Sequence, residues 1–384
     1  MSMVKNAVAI IALYTLISSC TTSKKIGGAE TTAIGELKLL DKYVVPHNLQ
    51  FKGTTVGGLS SIDYNPQKNE YYCISDDRSN INPARFYTTN IVIKENKIDT
   101  VVFTDVQFLR TPSGDTFPDY HKNPRQSVDP ESLRFNPNKN YFVWTSEGER
   151  MITNKDTVLV NPAIIVMDVK GNFIDTFRLP ENLIMRPNSF GPRQNGVLEG
   201  MSFGNNYKDL YVSVEEPLYE DGPIVETFAQ KTWLRFFKFN VDTKKNVEQY
   251  AYMPEKIDTL PKPLSAFKIN GISEMLYIGN KQFLVVERAF STGRQKCTIK
   301  IFLANASKAS DIKDVPSLLL DAPAYPMTKK LLFNFDNVDQ FIDNVEGITL
   351  GPVLPNGHQT IVLVVDNNFS QFEETQFILM EIIP

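Results

Sequence analysis

Histidine is nearly missing from this chain. There are 3 in 384 residues, His47, His121 and His358, and none lies in a recurring motif. A Ser-His-Asp triad or a histidine-rich zinc site therefore has little to stand on. No G-x-S-x-G elbow and no phosphate-cradling glycine loop are present. Cysteine is as scarce, at 3 residues, with no C-x-x-C pair to suggest structural zinc. Cys73 and Cys297 sit in apolar, strand-like runs of different repeats. A bridge needs Cα atoms within about 7 Å, so buried free thiols are expected. Basic excess is absent too: Lys and Arg total 40 against 44 Asp and Glu, a net charge of −4. That lacks the footprint of a nucleic-acid binder. The longest apolar stretch, Ala7 to Ile17, is too short to span a bilayer. No long amphipathic helix is evident, and 311–335 matches that pattern poorly, reading as an extra hairpin or a loop with a helical turn.

The N-terminus has the layout of an export signal. Lys5 supplies a positive n-region, and Ala7 to Ile17 the apolar core. Ile17-Ser18-Ser19-Cys20 resembles the lipobox of bacterial lipoproteins. The expected organisation is a signal peptide over 1–19, a lipidated Cys20 with a flexible tether over 20–34, and one domain over 35–384. The lipid on Cys20 would anchor a monomeric protein to a membrane of the bacterial cell envelope.

What the domain has in abundance is β-prone, aromatic sequence, with 25 Phe and 15 Tyr broken by 23 Pro. It also has a repeat. Five times, an apolar segment carrying an acid or small residue precedes a second apolar segment that ends in an acid. The first members are Ser60, Glu131, Glu199, Glu274 and Glu346; the second are Asp76-Asp77, Glu147, Glu215, Glu287 and Asp366. The spacing from first to second member is 16 residues in the first three copies (60 to 76, 131 to 147, 199 to 215). The fourth copy is shorter and the fifth longer, where Pro355-Asn356-Gly357 marks an extended turn. The period is about 70 residues, and a recurring unit this long and this β-rich predicts blades around an axis, an all-β single propeller. Five copies are visible, and a sixth blade assembled from the termini and 311–335 is the alternative. The clearest internal match is Ser61-Ile62-Asp63-Tyr64-Asn65-Pro66 against Ser132-Leu133-Arg134-Phe135-Asn136-Pro137. Segments 35–40 and 42–45 read as an N-terminal strand pair, and 375–382 as a last strand that pairs with them and closes the ring. The strands at 91–93, 163–167, 234–239 and 298–302 read as the outer ones.

Carboxylates gathered at strand ends repel one another unless something positive sits among them. Ca²⁺ or Mg²⁺, which prefer oxygen ligands, would serve. So would arginine, and Arg78, Arg85, Arg193 and Arg288 all lie close to the motifs. Structural ion pairing between blades is the plainer reading. A mixed site, with acids on metal and arginines clamping a phosphate or other oxyanion, is the functional one.

The motifs Gly57-Gly58-Leu59-Ser60-Ser61-Ile62-Asp63-Tyr64, Asp129-Pro130-Glu131-Ser132-Leu133, Val197-Leu198-Glu199-Gly200-Met201, Leu284-Val285-Val286-Glu287-Arg288 and Val345-Glu346-Gly347-Ile348 resemble the phytase-like domain family, known for an "esterase-like activity of phytase". The resemblance covers about residues 40–384. It implies a propeller and a phytase- or phosphodiesterase-like site, and β-propeller phytases hold several calcium ions in an acidic channel. Its acids would fall on Asp76, Asp77, Glu131, Glu147, Glu199, Glu215, Glu274, Glu287, Glu346 and Asp366, and its basic partners on Arg78, Arg193 and Arg288. Ser60 departs from the repeat, leaving a vacancy where substrate would enter.

The expected function is a metal-dependent hydrolase of small phosphate esters. Asp76, Asp77, Glu131, Glu199, Glu274, Glu287, Glu346 and Asp366 would bind Ca²⁺ or Mg²⁺. Glu147 or Glu215 would act as general base. Arg78 and Arg288 would stabilise charge on the phosphoryl group, with Arg85 and Arg193 in substrate binding. A non-catalytic binding or scaffolding propeller is the alternative, as is a carboxylic-ester or lactone hydrolase.

Overall fold

A computed structural model describes residues 34–384. The signal peptide, Cys20 and all but the last residue of the tether lie outside the described residues. Among those described, no helix is long and apolar enough to cross a membrane.

Five four-stranded antiparallel sheets make five blades. In the first, strands Leu59–Asn65, Glu70–Ser75, Arg85–Lys94 and Lys97–Phe108 follow one another from the axis outward. The innermost strands of the others are Pro130–Asn136, Leu198–Gly204, Lys268–Gly279 and Val345–Val353. Each innermost strand packs against those of both neighbours, and the fifth meets the first. Among the described residues the ring is closed at five blades, with no sixth. Segment 311–335 instead holds a loop and the outer strand of blade four, Thr328–Asn334. The strands expected to be outermost are third in their blades.

Both termini build blade five, as ring closure requires. Strand Gln376–Ile383 lies third, and Glu36–Val44 pairs with it on the outer edge, Glu36 opposite Ile383 and Val44 opposite Gln376. The expected N-terminal strand pair is one strand with a register shift between Leu39 and Asp41. A bulge bends a strand without ending it.

Blades are buried on both faces, so their middle strands are apolar without alternation. Tyr71-Tyr72-Cys73-Ile74 illustrates this: Tyr71 and Cys73 enter the core shared with blade five, while Tyr72 and Ile74 enter the one shared with blade two. Cys297 belongs to the core between blades four and five. Both thiols are free and buried, because the two lie in different layers between blades. The Asn-Pro turns form as expected: the Asn65 side chain accepts from Gln67 N at 3.1 Å and Asn136 from Asn138 N at 3.0 Å.

One irregularity recurs and positions the site. Where four of the innermost strands begin, and five residues into the longer Lys268–Gly279, the pairing skips a residue or two. The skipped positions begin with Ser60, Glu131, Glu199, Ser273 and Glu346. A bulge of this kind re-aims a side chain and tightens the local twist, and here it turns that point of every innermost strand toward one mouth of the channel.

Candidate active site at the acidic mouth

The bulge register corrects one copy of the repeat. Ser75, Ser146, Val214, Glu287 and Val365 are equivalent, each paired with the residue just before a bulge. The next residues are therefore Asp76, Glu147, Glu215, Arg288 and Asp366. In blade four the first position belongs to Ser273 and the second to Arg288. Glu274 and Glu287 are each displaced by one residue, which in a strand sends a side chain to the other face.

Their contacts follow from that displacement. Glu287 faces outward into blade four's flank, where Tyr252 Oη donates at 2.6 Å and Lys329 Nζ at 2.6 Å. Glu274 crosses the axis. Its Oε2 accepts from Arg134 Nη2 at 2.6 Å and from Ser61 and Ser132 hydroxyls at 3.2 Å, and its Oε1 accepts from Met201 N at 2.8 Å. Both partners are sealed from solvent. Arg134 also donates to the Ile62, Met201 and Ile348 carbonyls. This ion pair bolts blades one, two, three and five to blade four. The structure thus puts neither Glu274 nor Glu287 in the acidic ring.

The other acids do converge. Three groups have carboxylate oxygens within 4.8 Å of one another: Asp76 with Glu346 and Asp366; Asp129 with Glu131 and Glu147; and Glu147 with Glu199 and Glu215. Seven of these residues come from the repeat's predicted acid positions, Glu147 and Glu215 among them as the expected bases. Arg288 is the cation among them. Its Nη2 donates to Glu215 at 2.6 Å, and its Nη1 to Glu346 and to Asn344 Oδ1. Two side-chain oxygens, Glu147 Oε2 and Asp366 Oδ1, are buried with no hydrogen-bond partner.

Burial, and then the neighbouring carboxylates, hold the Asp76, Glu131, Glu147 and Glu199 carboxyls well above their ordinary range. Asp366 is raised for the same reasons, chiefly burial and then Asp76. Burial lifts Asp129 to about 6 against the pull of Arg78, and Glu346 to about 8 against that of Arg288. A site this crowded with anions is matched to a bound cation or to retained protons.

The remaining predicted residues divide clearly. Asp77 turns away from the mouth: it accepts from the backbone N–H groups of Asn80, Ile81 and Asn82 and pairs with Arg85 at 2.7 Å. Arg85 is fully buried and also bonds Tyr87 Oη and Thr55 O, so no ligand reaches it. Arg193 donates to the Pro217 and Gly222 carbonyls, both at 2.8 Å, and stacks on Tyr219. Arg78 stays beside the ring, 3.4 Å from Asp129 and 2.8 Å from Glu149, under the Tyr120 ring at 3.6 Å. Ser60 leaves no vacancy; its hydroxyl lies 2.8 Å from Glu131 Oε2. Asp129, Glu149, Asn344 and Tyr120 went unrecognised in the sequence. Asp129 and Glu149, each two residues from a predicted acid, carried a signal; Tyr120, in a long loop, carried none.

Close packing shapes this mouth. Gly58 has φ +59°, and a Cβ there would stand 2.1 Å from Asp76 Oδ1 and 2.5 Å from the Phe369 ring. Only glycine allows Asp76 its place.

Residues 54–369 match the family described as phytase-like, esterase-like activity of phytase. No curated protein matches the chain. Among solved structures it is similar to an endo-arabinase from Bacteroides thetaiotaomicron, at 13% identity over 86% of this chain and 95% of that one, with a TM-score of 0.43. It is similar to an α-L-arabinofuranosidase from Lactobacillus brevis, at 11% identity over 84% and 90%, TM-score 0.46. A thermostable family-43 glycoside hydrolase gives 10% identity over 89% and 96%, TM-score 0.46.

Proposed function

The chain belongs to the phytase-like family, and we propose that its acidic mouth is the active site of a metal-dependent hydrolase of phosphate esters. One observation carries the reading: eight carboxylates meet at one end of the channel, and two of their buried oxygens lack any partner. An orphaned buried acceptor costs roughly 1–3 kcal/mol, more when charged, and a hard cation removes that cost. The donor set is all oxygen, which suits Ca²⁺ or Mg²⁺ over zinc.

Asp76, Glu346 and Asp366 would hold one cation, and Glu131 and Glu199 the other side of the ring. When bound, a divalent ion here supplies neutralising charge for a phosphoryl group and lowers the pKa of water. Without it the ring repels a phosphate ester. Glu147 is the better general base of the two candidates. Its buried Oε2 has no hydrogen-bond partner, and burial, then the neighbouring Asp129 and Glu215 carboxylates, raises its pKa, which strengthens it as a proton acceptor. Glu215 is tied to Arg288 at 2.6 Å. Arg288 is committed to its carboxylates and holds the ring in shape. Arg78, about one-fifth exposed, is the remaining guanidinium for a substrate oxyanion.

Glu147→Gln tests the assignment. The variant should bind calcium, lose about 100-fold or more in kcat on a phosphate diester, and lose the acid limb of the pH–rate profile. A kcat within threefold of the parent would reject Glu147 as base.

A further inference from the structure

The channel has a second mouth, sealed from the first by the Arg134–Glu274 bolt. Beyond the bulges the innermost strands resume a two-residue alternation, so Asp63, Arg134, Ser202, Leu276 and Thr349 occupy one level, two residues past Ser61, Ser132, Gly200, Glu274 and Gly347. All five residues of that level line a cavity of about 580 Å³, well within the range of small-molecule sites. No acid of the ring lines it.

Five aromatic side chains contribute to its walls, Tyr64, Phe135, Phe203, Tyr207 and Tyr277. At its inner end is Asp63. Asp63 Oδ2 accepts from Phe135 N at 2.7 Å and Oδ1 from Thr349 Oγ1 at a long 3.4 Å, and the Tyr64 backbone N–H also bonds the carboxyl. Arg134 also borders the cavity, but its charge is met by Glu274 at 2.6 Å. The ionisable groups there are two carboxyls and one guanidinium, with burial raising the Asp63 carboxyl against the pull of Arg134.

The loop that delivers Tyr207 is strained. Asn205, Asn206 and Tyr207 have φ of 49°, 55° and 62°, three left-handed residues in succession. Asparagine tolerates that region; tyrosine does not. Such strain persists where the surroundings enforce it, and it gathers at ligand clamps. Its result is a tyrosine that packs on Phe203 at 5.4 Å between centroids and whose hydroxyl, by burial and the nearby Asp63 carboxylate, is pushed up to about 12.

We propose that this cavity is a second ligand site, separate from the acidic mouth, that binds a small organic ammonium compound with an aromatic or branched aliphatic body. Ring faces attract an ammonium through their quadrupoles. Asp63 supplies the counter-charge, and the apolar walls exclude a free metal ion. The proposal does not depend on any activity at the other mouth.

Calorimetric titration of the full chain with benzyltrimethylammonium, benzyl alcohol and benzoate tests this, in buffer with saturating calcium so that the acidic mouth is occupied. The ammonium should bind at least tenfold more tightly than the alcohol, and benzoate should not bind. Asp63→Asn, which retains an acceptor for Phe135 N, should weaken the ammonium tenfold or more. Tyr207→Asn keeps the left-handed turn and should weaken it several-fold, which guards against misfolding of the first variant. Glu199→Gln, at the opposite mouth, should leave it unchanged. Equal affinity for alcohol and ammonium, no ammonium binding at millimolar concentration, insensitivity to both cavity variants, or loss in Glu199→Gln would overturn the proposal.

Discussion

Replacing Glu274 by alanine should unfold this protein more readily, and by the same amount whether or not calcium is present. The residue sits among acids in the sequence, yet its carboxylate is spent on Arg134, two serines and two backbone amides. The Arg134 side chain is 2% exposed, so removing Glu274 strands a guanidinium in the channel. Stranding one partner of a buried ion pair costs about 3–5 kcal/mol. For a propeller of this size one kcal/mol moves the melting temperature by about 1.4 °C, given an unfolding entropy of about 2.1 cal/mol/K per residue. The expected fall is about 4–7 °C. Melting should be followed by far-ultraviolet circular dichroism in 1 mM CaCl₂ and again in EDTA, with Glu199→Gln alongside. Glu274→Ala should lose the same increment in both buffers and keep its calcium stabilisation. Glu199→Gln should lose that stabilisation. If calcium no longer stabilised Glu274→Ala, Glu274 would be a cation ligand and the register set by the bulges would be wrong.

Further outcomes follow from the same geometry. In metal-free protein, the raised carboxyls bind protons more tightly when folded than when unfolded, so the unfolded state releases them first and stability falls as pH rises. With Asp129 at about 6 and Glu346 at about 8, the EDTA-treated protein should melt at progressively lower temperature from pH 5 to pH 8; a rising curve would contradict the acid cluster. Calcium binding should release protons, measurable with an indicator dye at pH 7. Gly58→Ala should cost the calcium response more than it costs the fold, because its Cβ collides with Asp76 Oδ1; unchanged calcium affinity would refute that role. Deleting residues 1–44 removes the outer strand of blade five and exposes the edge of Gln376–Ile383; a deletion variant that melts like the parent would rule out closure by the N-terminal strand.

Much of this architecture is legible in the sequence because blades repeat their chemistry. The match of Ser61–Pro66 with Ser132–Pro137 sets the register of two innermost strands correctly, and the constant spacing of 16 finds the second acids of three blades. Blade four misleads because Ile272-Ser273-Glu274 offers an acid one place late and Glu287-Arg288 one place early. Two signals were there to read. Taken from Ser273 to Arg288, the spacing is 15, close to its neighbours. The residue after the first position is small in the other blades (Ser61, Ser132, Gly200, Gly347), whereas Glu274 is followed by Met275. Small residues stand there because the innermost strands crowd the axis: a Cβ on Gly347 would come within 2.8 Å of Ile62 N. Glu274 occupies that crowded level as a long side chain and fills the space its neighbours leave. The arginines were beyond sequence reasoning for a different reason. Proximity along the chain says nothing about commitment, and Arg85 and Arg193 are consumed by Asp77 and by carbonyls respectively.

The central claim is that the acidic mouth hydrolyses phosphate esters with a bound cation. The direct measurement is release of 4-nitrophenol from bis(4-nitrophenyl) phosphate and 4-nitrophenyl phosphate, and of phosphate from inositol hexakisphosphate, by the purified full chain, in calcium, in EDTA, and with Glu199→Gln and Glu346→Gln combined. Turnover in calcium that disappears in EDTA, and in the double variant while it remains folded, is the predicted result. A folded, calcium-bound protein that turns over none of the three, or one whose turnover survives both EDTA and the double substitution, would contradict it.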